Sequence, residues 1–172
     1  MNPTSEAKLV GLYPVLVDKV HQMAEILLLD PQPITLIISA GLRSWLQQDV
    51  LWLQGRNPDG TYIDPVHHTG VVTNARGGES WHNYGVAVDC EPEVKDGTID
   101  WNASHPQWKR MEAVGASLGM TTGANWKRLV DAPHFQITGR FPVGAPDEEA
   151  KQIYQDQSRE AFWDEITKGV SI

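Results

Sequence analysis

Apolar residues recur at helical spacing through Leu9, Leu12, Leu16, Val20, Met23 and Leu27, which predicts an amphipathic helix over roughly residues 5 to 29. Pro14 falls inside that run and is expected to split or kink it. Asp30-Pro31-Gln32-Pro33 breaks the helix, and the β-branched apolar run at 34–39 reads as a buried strand. Ser44 with Gln47 forms a capping box, so a second helix should start at Trp45 and end at Gly55. Residues 56–80 are rich in Gly, Pro, Asn and Asp and predict a long irregular loop, a kind of segment that is usually functional or mobile. A strand pattern returns at 85–90, with Val86, Val88 and Cys90 on one face and Ala87 and Asp89 on the other. Asp96-Gly97 signals a hairpin turn. Ser104 is expected to cap a helix with Pro106 in its first turn and Gly119 at its end. Residues 134–138 read as a short strand with His134 and Gln136 on one face, and 147–168 as one C-terminal helix with its acids early.

The chain has 172 residues, enough for one domain with a sizeable core, and no repeat or linker suggests a second. A net charge of -8 argues against a general basic surface for nucleic acid or anionic lipid. No run approaches the ~20 apolar residues of a membrane span. The polar start of the chain shows no secretory signal, so synthesis in the cytoplasm is expected. The lone cysteine, Cys90, has no internal disulfide partner and reads as a buried thiol. Seven tryptophans are expected mainly in the core and in pocket walls.

The candidate chemistry lies in Ser80-Trp81-His82-Asn83-Tyr84-Gly85-Val86-Ala87-Val88-Asp89 and in Asp131-Ala132-Pro133-His134. Two imidazoles and a carboxylate are offered to one divalent metal, with a second carboxylate, Asp131, free to act on water; this is minimal equipment for a zinc hydrolase. His82 and Asp89 are too far apart for one helical face and fit a loop followed by a strand, with Gly85 letting the backbone turn. His134 must then arrive from a neighbouring strand. His67 and His68 are adjacent, point opposite ways on an extended segment, and read as loop residues. Arg56 and Arg76 read as supports of loop structure or members of solvent-facing salt bridges. Glu91, Glu93, Asp96 and Asp100 read as a solvated hairpin, with a calcium site as the alternative.

These segments resemble the VanY/VanX-type zinc D,D-peptidase superfamily, peptidase family M15. Its Ser-x-His-x-x-Gly-x-Ala-x-Asp motif is matched by Ser80, His82, Gly85, Ala87 and Asp89, and its closing acid-x-x-His by Asp131 and His134. Gly41-Leu42-Arg43-Ser44 matches a further segment. Gln48, Leu51, Gln54, Gly55 and Arg56 match a run of the L-alanyl-D-glutamate endopeptidase branch, which includes phage endolysins. The resemblance spans roughly residues 9 to 140 in the expected order.

The resemblance implies a single α+β domain of hedgehog/DD-peptidase-like type, its small, mostly antiparallel sheet carrying one Zn²⁺ between helices. It implies His82, Asp89 and His134 as metal ligands, Asp131 as general base and Arg43 as the cation that binds the scissile carbonyl. Arg43 would meet substrate, and Ser80 would either hydrogen-bond to substrate or support the metal ligands from behind. Several carboxypeptidase relatives carry Glu where this chain has Asp131, which favours the endopeptidase branch. The expected activity is hydrolysis of a peptidoglycan stem peptide, at L-alanyl-D-glutamate, by a monomer that reaches the cell wall by phage-type release, with a bacterial enzyme using an unrecognised export route as the alternative. The alternatives are a D-alanyl-D-alanine carboxypeptidase or dipeptidase, an inactive metal-bearing wall-binding module, and a structural protein whose zinc has four protein ligands.

Overall fold

Proline opens both N-terminal helices. The architecture comes from a computed structural model, which describes residues 1–95, 98, 99, 101–127 and 130–168. Helix α1 (Pro3–Lys8) is capped by Asn2, whose Oδ1 accepts from the Ser5 amide at 2.8 Å. Helix α2 (Pro14–Leu28) starts at Pro14, so the long amphipathic run is two helices. Proline needs no N–H partner in a first turn, and that is the position it takes here. The buried stripe of α2, Leu16, Val20, Met23 and Leu27, is the one the periodicity marks.

The sheet has five strands: β1 (Thr35–Ala40), β2 (Ala87–Lys95), β3 (Thr98–Ile99), β4 (Thr121–Thr122) and β5 (His134–Gln136). Their order is β1-β2-β5-β4, with β3 paired to β2, and each pairing is antiparallel. The expected Asp96-Gly97 turn lies outside the described residues, between the paired β2 and β3. In the β2–β5 register Asp89 stands opposite His134, and Ala87 opposite Gln136. Packed on the sheet are α2 and α4 (Pro106–Ser117), which also touch each other.

Helix α3 (Trp45–Leu53) carries the expected capping box, in which Ser44 Oγ accepts from the Gln47 amide at 3.1 Å and Gln47 Oε1 accepts from the Ser44 amide at 2.7 Å. Three expectations need correction. Helix α4 is capped by His105, whose Nδ1 accepts from the Gln107 amide, rather than by Ser104. The C-terminal segment is two helices, α5 (Glu148–Asp156) and α6 (Arg159–Thr167). Ser158 starts the second by accepting from the Ala161 amide at 3.1 Å, a cap that was readable before Arg159-Glu160. The break lets α6 turn Phe162, Trp163 and Ile166 into the core. Glu91 is buried in β2 beneath a hydrogen bond from Ser39, so it is not part of a solvated hairpin. Asp96 and Asp100, two further acids of the calcium alternative, lie outside the described residues.

An aromatic cluster of Trp81, Tyr84, Phe141 and Phe162 fills the space under the candidate site. Trp163 Nε1 donates to the Tyr84 carbonyl at 2.9 Å, tying α6 to the same turn. Trp81, Trp108 and Trp163 are buried, whereas Trp101 is 65% exposed. Cys90 is fully buried, and desolvation pushes its thiol pKa up. Among the described residues no helix is long and apolar enough to cross a membrane.

Candidate metal centre

Three short elements bring the candidate ligands together. A 3-10 turn, Trp81–Tyr84, carries His82; β2 carries Asp89; β5 carries His134. Gly85 closes the turn with φ +71°, a conformation costly for other residues, and lets β2 begin at once. His82 Nε2 lies 3.2 Å from Asp89 Oδ1, and His134 Nδ1 lies 3.4 Å from the same oxygen. One donor atom from each residue falls within 4.8 Å of the others. Among the described residues this is the one group of three or more such donors that could hold a metal ion.

Hydrogen bonds behind the rings set which nitrogen is free. His82 Nδ1 lies 2.9 Å from the Gly41 carbonyl, an acceptor, so Nδ1 carries the proton and Nε2 presents its lone pair. Gln136 Nε2 donates to the Val143 carbonyl at 2.7 Å, which turns Gln136 Oε1 toward His134 Nε2, also at 2.7 Å. That ring nitrogen therefore carries the proton, and Nδ1 is free. Two imidazole lone pairs thus converge on an Asp89 oxygen that is buried and has no hydrogen-bond partner. Three electron-pair donors facing one point repel each other unless a cation or a proton lies among them. The donor set fits a divalent metal of zinc type, and both histidines already have the outer partners that such ligands use.

Ion pairing among the same groups governs their titration. Desolvation raises the Asp89 pKa, but His82 and His134 outweigh it and hold the carboxyl well below its usual range. Desolvation lowers the His134 pKa, but Asp89 outweighs it and the net shift is upward. Asp131 is raised by desolvation and by the neighbouring Asp89 charge, against smaller opposing effects of His134, His82 and Arg43. A half-buried carboxylate with a raised pKa is suited to take and return a proton.

Asp131 sits on the turn before β5, where its amide donates to the Gly123 carbonyl at 3.0 Å and its carbonyl accepts from the His134 amide at 3.2 Å. Gly123 makes this close approach possible: a Cβ there would fall 2.5 Å from the Asp131 carbonyl oxygen and 3.1 Å from the His134 Cβ. Arg43 follows β1. Its amide donates to the His82 carbonyl at 3.1 Å and its carbonyl accepts from Asn83 Nδ2 at 3.0 Å. Its Nη2 lies 3.7 Å from Asp89 Oδ2. Arg43, Ser80, His82, Asp89, Asp131 and His134 all line one open cleft of about 670 Å³. His21, His67, His68 and His105 are not among the residues lining that cleft.

The second wall of the cleft comes from the long loop. Arg56 is buried, donates to the Trp52 and Thr73 carbonyls and to Asn74 Oδ1, and stacks on Trp52 and Tyr62. Arg76 covers the Trp52 ring at 4.0 Å. His68 stacks on Tyr62. Gly144, Ala145, Pro146 and Lys151 form a third side that the sequence reading does not foresee. Gln136 is placed correctly on the face of His134, but its bond to the imidazole is not anticipated. Asn83 and Gly123 are also missed; each acts through a contact made only on folding.

The cleft thus sets a two-histidine, one-carboxylate donor group beside the half-buried Asp131 carboxylate. Residues 73–137 match the family model described as D-alanyl-D-alanine carboxypeptidase. The chain is 37% identical over 111 residues to the peptidoglycan L-alanyl-D-glutamate endopeptidase CwlK of Bacillus subtilis, a match covering 60% of this chain and 61% of that protein. It also shares the fold of the L-Ala D-Glu endopeptidase ChiX of Serratia marcescens. That likeness has a TM-score of 0.55 at 24% identity and covers 81% of this chain and 90% of the other.

Proposed function

We propose that this chain is a zinc metallopeptidase that hydrolyses the L-alanyl-D-glutamate bond of peptidoglycan stem peptides and so acts on the cell wall. The observation that carries the reading is the convergence of two imidazole lone pairs on an unpartnered Asp89 oxygen, in the cleft that also holds Asp131 and Arg43. The choice of bond is supported by CwlK and ChiX, whose names state it for those proteins.

His82, Asp89 and His134 would hold the zinc ion, which supplies a Lewis acid for the scissile carbonyl and makes water a nucleophile near neutral pH. Asp131 accepts the proton of the attacking water and returns it to the leaving amine. Arg43 binds the carbonyl oxygen and the negative charge that develops there through its guanidinium N–H groups. Ser80, at the cleft edge, meets the substrate backbone.

The test uses purified sacculi and defined muropeptides, with the products read by mass spectrometry. The zinc-loaded protein should release fragments with a new D-glutamate N-terminus. Asp131→Ala should lower kcat by ~10²–10⁴-fold with zinc content unchanged. Equal turnover in Asp131→Ala would remove the base from the mechanism. The family description favours a second reading, D-alanyl-D-alanine cleavage. Release of free D-alanine in place of the D-glutamate fragments would establish it.

A further inference from the structure

We propose that Gln48 is a positioning residue: it aims the Arg43 guanidinium at the metal centre and fastens it to the opposite wall of the cleft at Ala75. This rests on the reading of Arg43 as the cation that binds the scissile carbonyl.

Gln48 lies on α3 and is 1% exposed. Its Oε1 accepts from Arg43 Nη1 at 2.9 Å, and its Nε2 donates to the Ala75 carbonyl at 2.9 Å. Both ends of the amide are committed, so the side chain has one orientation. A flipped amide would set a donor against the guanidinium and an acceptor against a carbonyl. Arg43 is thus held at three points: its backbone to His82 and Asn83, its Nη1 to Gln48, and its Nη2 near Asp89 Oδ2.

The chemistry of the amide matters. Gln48 is a neutral acceptor, so it orients the guanidinium without cancelling its charge. A carboxylate at this place would pair with Arg43 and weaken its pull on a developing oxyanion. It would also have no proton to give Ala75. An apolar side chain would leave the Ala75 carbonyl and one guanidinium N–H unpaired. Ala75 belongs to the loop wall that Arg56 holds at Thr73 and Asn74 and that Asp49 holds through the Gly77 amide at 2.7 Å. The wall that meets substrate and the cation that meets its carbonyl are therefore joined by one side chain.

The experiment compares Gln48→Leu, Gln48→Glu, Arg43→Ala and the double variant Arg43→Ala/Gln48→Leu as zinc-loaded proteins on a defined muropeptide. Gln48→Leu should lower kcat by about 10–100-fold, as loss of an outer-shell partner does, with zinc affinity little changed and KM raised no more than several-fold by the loss of the Ala75 bond. Gln48→Glu keeps the acceptor and guards against a folding failure of the leucine variant; it should lower kcat comparably. In the Arg43→Ala background Gln48→Leu should cost nothing further, because its effect on kcat passes through the guanidinium. Additive losses would overturn the inference and leave Gln48 a support of the wall alone. An Arg43→Ala protein with the parent kcat would instead remove the assignment of Arg43, a result distinct from additivity.

Discussion

The two long walls of the cleft are built by different physics. One is sheet: Asp89 and His134 face each other across paired strands, and His82 is set by a tight turn against β2. Backbone hydrogen bonds fix these positions, and a fully buried aromatic cluster supports them. The other wall, around residues 72–76, has no ladder. It is fastened to α3 by side chains: Arg56 between Trp52 and Tyr62, Gln48 on Ala75, and Asp49 on Gly77. The first arrangement suits ligands that must hold sub-ångström geometry. The second suits a surface that shapes itself to a substrate, since side-chain fasteners can loosen without unfolding the sheet.

The contrast can be broken at each side in turn. The largest effect belongs to the sheet wall: Asp89→Ala should abolish both zinc retention and turnover while circular dichroism keeps the native signature. Retained stoichiometric zinc in that variant would show that the ion sits elsewhere. Gln136→Ala should be intermediate. It leaves His134 without its outer partner and should weaken zinc affinity ~10–100-fold, measured by competition with a chelator. The smallest effect belongs to the loop wall. Arg56→Ala should raise KM several-fold and speed proteolysis within residues 56–79, with zinc affinity unchanged. A matching fall in zinc affinity would mean the two walls are not mechanically separate.

Much of this was legible in the chain because the signals are local. Ser44 with Gln47 marks a helix start that forms as read, and Gly85 permits the turn between His82 and Asp89. Strand parity placed Gln136 with His134 before any contact was known. What stayed hidden depends on distant partners. Thr121 and Thr122 form a strand only because β5 lies beside them. Gly123 matters through what a side chain would strike, a carbonyl eight residues on. Glu91 lies among acids that look solvated, yet it points under Ser39, and burial raises its pKa to about 7. The α5–α6 break was within reach of the sequence, since Ser158 is an ordinary helix cap; the long run of helix formers around it masked the signal.

The pairing of Asp89 opposite His134 has a consequence for how the protein matures. Side chains alternate along a strand, so a one-residue slip between β2 and β5 would send one donor to the far face. A misaligned chain would then offer the ion too few donors to be kept. Under the proposed function, zinc would stabilise only the correctly aligned sheet, and more strongly as free metal rises. Refolding with and without zinc, followed by strand-specific hydrogen exchange, would expose that selection directly.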